Sequence, residues 1–273
     1  MQANYSILLP VYIKDNPEFL VTSIESMLNQ TVKSDDFVII KDGPLTDELN
    51  AVVDKYASIK ENNISIISLD VNSGLGAALD FGLRQCKNEL IARMDADDIS
   101  LPTRCEKLLK LFNEDKDLAI AGTNIDEFAD DPNVIISSRV VPSTNDEIIK
   151  YNRRRQAFNH PSIMFKKSEV LRVGSYPHLK HMEDKDLFFR MLNMNCKAAN
   201  IPESLLLFRS NKDSFKRRRG KEYRKATIEV AKAAYKSKYI SYSDYLYIYW
   251  GQKFMRILPN WLLVKLLRKK PKK

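Results

Sequence analysis

The sequence predicts an α/β protein built on a mainly parallel sheet flanked by helices, with a basic helical extension at its C-terminal end. Three observations carry that expectation. Apolar strand-like runs alternate with amphipathic helix-like segments through residues 5–113. The strand-like runs stop at small or polar residues, which is where open parallel sheets expose their ligand crevice. The charge is also divided: from Arg209 onward there are 20 Lys and Arg against four acids, whereas the preceding residues carry 24 against 31. A mildly acidic body with a strongly basic end suggests two tasks.

Each element has its own signal. "YSILLPVY" is a short apolar strand containing Pro10. In "PEFLVTSIESMLNQ", Phe19, Leu20, Ile24, Met27 and Leu28 recur at helical spacing behind Pro17, a residue suited to a first helical position. "DFVIIKDG" is a second strand stopping at Asp42-Gly43. Residues 46–60 form a helix with Leu49, Val52, Val53 and Tyr56 on one face. "ISIISLD" is a third strand, "NSGLGAALDFGLRQC" a glycine-led helix, and "ELIARMD" a fourth strand, after which Pro102 opens a helix to about Asn113. Beyond it, "LAIAGTNIDEF" and "NVIISSRVV" read as strands extending the sheet in an antiparallel sense. "HPSIMFKKSEVLRVGSYP" reads as strand, short helix and turn, and "MEDKDLFFRMLNMN" as a helix opened by acids.

Other classes are excluded early. Cys86, Cys105 and Cys196 show no CxxC spacing, so neither a zinc ribbon nor a redox pair is indicated. "MQANYSILLPVY" lacks the basic start of a signal peptide, and no run reaches the roughly 18 apolar residues of a membrane span. A cytoplasmic location is expected.

The stretch "IARMDADDIS" gathers Asp95, Asp97 and Asp98 at the end of the fourth strand. Two readings fit. Carboxylates at one strand end suit a hard divalent ion that also takes phosphate oxygens. Alternatively, this is an acidic turn in which Asp98 or Ser100 caps the following helix. The strand ends at Pro10-Val11-Tyr12, Asp42 and Asn72-Ser73-Gly74 would line the same crevice, with Arg93 pointing from the fourth strand. Gly74-X-Gly76 is not a complete dinucleotide fingerprint, and there is no phosphate-binding GxxxxGK[ST] loop.

"SILLPVY", "VIIKDG", "NSGLGAALDFGL", "IARMDADDISLPTRCEKLLKLF" and "MEDKDLFFRML" together resemble glycosyltransferase family 2 over about residues 4–210. The resemblance implies an inverting enzyme of GT-A fold, with a catalytic domain over 1–210 and an extension over 211–273. It implies Mn2+ or Mg2+ as cofactor, a nucleotide-sugar donor and a UDP-sugar above all. Pro10, Val11 and Tyr12 would lie beside base and ribose, Asp42 would contact the uracil or ribose, and Asn72 and Gly74 would shape the pocket wall. Asp97 would be the principal metal ligand, with Asp95 shared between ion and donor and Asp98 supporting either role; Arg93, from its place on the fourth strand, could reach the diphosphate or make a structural ion pair. Inverting transfer also needs a base across the sugar from the metal, and the acidic helix start supplies Asp184 as that base with Glu183 beside the acceptor. His160 is a candidate metal or diphosphate contact and also a candidate structural histidine. One departure is Leu79-Asp80, where many relatives carry Arg-Asn.

"FKRRRGKEYRKA" and "FMRILPNWLLVKLLRKK" resemble a bacterial subgroup making capsule, exopolysaccharide or O-antigen. That implies a glycan or polyprenyl-diphosphate-linked acceptor, and no nucleic acid as partner. Trp261, Leu262, Leu263, Leu266 and Leu267 among Lys265, Arg268, Lys269 and Lys270 suit an anionic membrane surface. A sugar nucleotidyltransferase, and a nucleic-acid binder using the basic end, are the rival readings.

Overall fold

The computed structural model describes residues 4–210 and 220–257. Strands β1 (Tyr5–Val11), β2 (Asp36–Lys41), β3 (Ile64–Ser68) and β4 (Leu90–Arg93) alternate with helices α1 (Pro17–Leu28), α2 (Asp47–Ala57) and α3 (Leu75–Gln85). β1 pairs with β2 and β4, β3 pairs with β2, and every pairing is parallel. Parallel strands joined by crossover helices bring their C-terminal ends to one edge, so the four polar strand ends converge as expected.

Local chemistry starts the helices. Asn16 Oδ1 accepts from the amides of Glu18 at 2.8 Å and Phe19 at 3.3 Å, and Pro17 occupies the first turn, where a missing N–H costs little. Thr46 caps α2 through Leu49 N.

After β4 come β5 (Ile99–Ser100), α4 (Arg104–Glu114), β6 (Leu118–Phe128), β7 (Ile135–Arg139), α5 (Asn145–Asn152), β8 (Met164–Lys166), α6 (Lys167–Arg172), α7 (Glu183–Asn193) and β9 (Lys197–Arg209). The sheet order is β3-β2-β1-β4-β8-β6-β9-β5, with β7 also on β6. β8 lies antiparallel between β4 and β6, so β6 runs in the same direction as β1–β4, against the antiparallel sense expected for it, whereas β7 is antiparallel on β6 as expected. β6 and β9, by contrast, are parallel over a long register. β5 then pairs antiparallel with β9, Ile99 opposite Leu207. That short ladder pins the segment after the acidic turn to a strand more than 100 residues later.

Period-two alternation sends Tyr5, Ile7, Leu9 and Val11 into one layer with Leu20, Ile24, Leu49, Val53 and Leu108. Leu8, Val38 and Ile40 meet Ala78, Leu79, Leu83, Leu187 and Phe188 on the other. Leu79 is fully buried there, so its place in the chain is an apolar packing position.

Gly76, in the first turn of α3, allows a close approach. A Cβ there would lie 2.2 Å from the Pro177 carbonyl oxygen and 3.1 Å from Glu183 Cβ. Gly76→Ala is therefore expected to push the start of α7 away from α3. The cost is about 1–3 kcal/mol of stability, readable by denaturant unfolding, with transfer activity falling because Glu183 moves.

The C-terminal helices α8 (Lys221–Lys236) and α9 (Tyr242–Ile257) form a pair against α7. Met182 and Phe189 share an apolar cluster with Val230, Ala231, Ala234, Ile240 and Ile248. Among the described residues, no helix is long and apolar enough to cross a membrane. Of the basic stretch "FKRRRGKEYRKA", only Gly220 onward lies among the described residues, and the apolar-basic stretch from Leu258 lies outside them.

Candidate active site

The acidic turn leaves β4 under tight local control. Met94 N donates to Leu8 O at 3.0 Å, and Ser23 Oγ donates to Asp95 O at 2.6 Å. Arg104, fully buried, donates from Nη1 to Arg93 O at 3.1 Å and Pro161 O at 2.8 Å, and from Nε to Ser100 Oγ at 2.8 Å. Carboxylate oxygens of Asp95, Asp97 and Asp98 all lie within 4.8 Å of one another.

The helix-capping reading of this turn does not hold. Asp98 Oδ1 accepts from the Arg209 amide at 2.9 Å, so it joins the end of β9. Thr103 stands at the N-terminal boundary of α4 without a side-chain cap, and Ser100 is engaged by Arg104. Arg209 Nε donates to Asp97 O at 3.0 Å, while its guanidinium stacks 3.8 Å from the Phe19 ring centre and 4.5 Å from that of Phe128.

Electrostatically the cluster is under-compensated. Burial, with Asp95 adding repulsion, pushes Asp97 up to about 6. Burial, Asp97 and Asp95 raise Asp98 well above the usual carboxylate range. Asp15, in the loop after β1, is raised to about 7, chiefly by burial with Asp97 and Asp95 contributing. Asp98 Oδ2 is buried without a hydrogen-bond partner. Converging oxygens, mutual repulsion and an orphaned acceptor are what a hard divalent cation satisfies, so these residues fit such an ion.

The charge of Arg93 acts on both acidic groups. Arg93 is buried and ion-paired to Asp95, while its Nε and Nη1 have no hydrogen-bond partner. Glu183 is buried at the first position of α7, just after Met182 in a left-handed conformation (φ 70°). Burial and then the neighbouring Asp184 push Glu183 up to about 8, against the lowering influence of Arg93. Burial and Asp184 thus favour the protonated form of Glu183. Asp184 is half-buried and accepts from Gln156 Nε2 and, at 2.7 Å, from the Lys185 amide.

This sets a pH expectation. Wild-type transfer should decline as pH rises through about 8 and Glu183 ionises. Glu183→Gln, which mimics the protonated form, should keep most activity at pH 7 and lose that alkaline limb. Paired pH–rate profiles check this; an alkaline limb unchanged in Glu183→Gln would assign it to another group.

Other expected residues take more local positions. Asp42 is buried, and its two oxygens accept from Ser73 N at 2.7 Å and Gly74 N at 3.0 Å. Gly74 has φ +88°, a conformation L side chains rarely adopt, which lets both amides face the carboxylate. Asn72 Nδ2 donates to Asp42 O at 3.2 Å. Asp42 thus ties the end of β2 to the start of α3. Pro10 and Val11 are buried within β1, whereas Tyr12 is exposed at the crevice edge.

His160, expected as a metal or diphosphate contact, is not a member of the carboxylate cluster. Its Nε2 lies 3.0 Å from Tyr176 OH, its ring packs against Phe188, and burial with the charge of Arg93 holds it well below the ordinary histidine value. These surroundings match the structural alternative that the sequence left open. Sequence reading missed Asp15, Gln156, Tyr176 and the role of Arg209. None belongs to a recognisable local motif, and each enters the site through tertiary contact.

Fold, acidic strand end and second acidic pair together define a GT-A glycosyltransferase. The model of glycosyl transferase family 2 matches residues 6–178, and the chain belongs to that family. Among its relatives, the UDP-Gal:alpha-D-GlcNAc-diphosphoundecaprenol beta-1,3-galactosyltransferase of Escherichia coli is 38% identical over 256 residues, 94% of this chain and 92% of that protein. The amylovoran biosynthesis glycosyltransferase AmsE of Erwinia amylovora is 34% identical over 226 residues, 83% of this chain and 84% of its own. The mannosyltransferase PcManGT of Pyrobaculum calidifontis, solved with GDP-Man and Mn2+, superposes with a TM-score of 0.69 at 13% identity, over 94% of this chain and 73% of that one. TarS of S. aureus gives 0.66 at 15% identity over 92% of this chain; the chain spans only 43% of TarS. Family membership makes the chain a glycosyltransferase and sets aside both the sugar nucleotidyltransferase and the non-enzymatic reading.

Proposed function

We propose that the chain transfers a sugar, with inversion, from a UDP-sugar to a hydroxyl of a polyprenyl-diphosphate-linked glycan in bacterial surface polysaccharide synthesis. The observation that carries this reading is the presence of two acidic sites that feel each other's charge: three convergent carboxylates at the end of β4, ion-paired to Arg93, and Glu183-Asp184 at the start of α7. The Escherichia coli relative, named for a UDP-sugar donor and a diphosphoundecaprenol acceptor, supports the substrate class.

Asp97 and Asp95, assisted by Asp98, would hold Mn2+ or Mg2+. The ion's chemistry is to neutralise charge on a departing diphosphate. The orphaned nitrogens of Arg93 are donors available to diphosphate oxygens. Pro10, Val11 and Tyr12 border base and ribose, and Asn72 and Gly74, held by Asp42, form the adjoining wall. Asp184 takes the proton of the attacking acceptor hydroxyl, and protonated Glu183 donates a hydrogen bond to the acceptor. His160, paired with Tyr176, would act structurally rather than bind the ion.

The C-terminal region would rest on the anionic cytoplasmic face of the membrane. Residues 220–257 carry eight Lys and Arg against three acids, and Tyr247, Trp250 and Phe254 are exposed along α9. Aromatic rings and cations suit the headgroup layer.

The test is a screen of nucleotide sugars by thermal shift with Mn2+, then transfer onto lipid-linked acceptors. One UDP-sugar should stabilise the fold, by about 2.7 kcal/mol at a hundredfold excess over Kd, and release UDP on transfer. Stabilisation by no nucleotide sugar, or a product other than the extended glycan, sinks the reading. Sedimentation with phosphatidylglycerol vesicles tests the membrane contact separately.

A further inference from the structure

The turn after α5 carries a set of contacts that the reaction outlined above does not use. Gln156 ends this turn, and its Nε2 donates to Asp184 Oδ2. With the Lys185 amide on Oδ1, both oxygens of Asp184 are held and the plane of the carboxylate is set. A carboxylate has about four lone-pair sites, so acceptor capacity remains for a substrate hydroxyl.

The turn itself is gripped from two sides. From α7, Lys185 places its ammonium beneath it. Nζ donates to the carbonyl oxygens of Asn152 and Arg155, lies 3.3 Å from Asn152 Oδ1, and sits 4.3 Å from the Phe189 ring centre. Lys185 is buried with carbonyl and amide oxygens as its hydrogen-bond acceptors. A lysine so placed is costly, and burial lowers it to about 7 against the favourable charge of Asp184. Local rules broken at such cost concentrate at functional sites.

From α9, Asp244 Oδ1 accepts from Arg154 Nε at 2.6 Å. The Arg154 guanidinium lies 5.0 Å from the Tyr247 ring centre, and Arg155 Nη2 donates to Tyr247 OH at 3.4 Å. Asp244 is buried, and its Oδ2 accepts from Ser241 Oγ at 2.7 Å and Ser241 N at 3.2 Å. The one acid of α9 is thus directed at the turn that carries Gln156.

We propose that Asn152–Gln156 is a positioning device for the catalytic base, with Gln156 orienting Asp184 and the C-terminal helix holding the turn in place through Asp244 and Arg154. The proposal rests on Asp184 being the base. Gln156, Arg154 and Asp244 act through Asp184 and are positioning residues. Because catalytic geometry tolerates little displacement, the C-terminal helix pair contributes to turnover without touching substrate.

The experiment is steady-state transfer by the full chain carrying Gln156→Leu, Arg154→Leu, Asp244→Leu, or Gln156→Leu combined with Arg154→Leu. Asp184→Asn runs in parallel. Gln156→Leu should lower kcat roughly tenfold, the worth of one hydrogen bond to a charged group, with donor KM unchanged. Arg154→Leu and Asp244→Leu should lower kcat severalfold, and Arg154→Lys should restore part of the loss. In the Gln156→Leu background, Arg154→Leu should add nothing, since both act through one contact.

Wild-type kcat in Gln156→Leu, or effects of Gln156→Leu and Arg154→Leu that multiply, would overturn the proposal while leaving Asp184→Asn inactive and the base assignment standing. Normal transfer by Asp184→Asn would overturn both. Circular dichroism and the donor-induced thermal shift verify the fold of each variant. Arg154→Leu alters a side chain that is 48% exposed, and it carries the same test should Gln156→Leu fail to fold.

Discussion

Asp184→Asn will lose transfer by about 10²–10⁴-fold, the usual contribution of a general base, while donor binding persists. Asparagine keeps the shape, and its single oxygen can still accept from the Lys185 amide, while its NH2 group meets Gln156, whose side-chain amide must turn to present its oxygen. It cannot accept the proton of an attacking hydroxyl. The loss should therefore appear in kcat, with the nucleotide-sugar thermal shift close to that of wild type. Glu183 should substitute poorly, because burial and the adjacent acid raise it to about 8 and favour its protonated form. Two neighbouring carboxyl groups with different environments take different roles. Wild-type kcat in Asp184→Asn would remove the base from this helix start altogether.

Asp97→Asn should have the second large effect, visible in two opposite directions. With Mn2+ and donor present, turnover should fall on the order of 10²–10³-fold, as for other groups that stabilise charge on a leaving atom, and metal-dependent thermal stabilisation should disappear. In metal-free buffer the same variant should be more stable than wild type near neutral pH. The sign follows from the ionisation. Asp97 is raised in the fold to about 6 from an unfolded value near 3.9. A raised carboxyl favours folding fully below the unfolded value, and this contribution is lost as pH rises through the folded one. Between about pH 4 and 6 the wild type should therefore lose on the order of a few kcal/mol relative to Asp97→Asn, and the difference should then level off. Chemical denaturation in EDTA across that range measures it. An Asp97→Asn protein still stabilised by Mn2+ would place the ion elsewhere.

The first half of the fold was legible because its signals are local. Alternating apolar positions in "YSILLPV" and "DFVIIK", the Asn16-Pro17 helix start and Asp42-Gly43 each report backbone state within a few residues. The strand ends therefore placed Asp95, Asp97 and Asp98 on the correct edge before any coordinates. The second half was less legible, since β6 meets β9 and β9 meets β5 through pairings that no local periodicity encodes. The roles of individual side chains divided in the same way. His160 was open between a ligand and a structural histidine, and only its surroundings, Tyr176 and Phe188, distinguish the two. Asp98 looked like a helix cap, yet its partner is Arg209, 111 residues away.

What the sequence alone determined is the chemistry available: an acidic strand end, a second acidic pair at a helix start, and the order of strands that puts both near one crevice. Those follow from residue type and short-range spacing. The tertiary structure decided which acids are charged, and which residues hold them. Burial raises Asp97, Asp98 and Glu183, Arg93 pairs with Asp95, and Gln156 reaches Asp184 from a separate turn. Desolvation and charge–charge energies depend on distances through space, which only the packed chain defines.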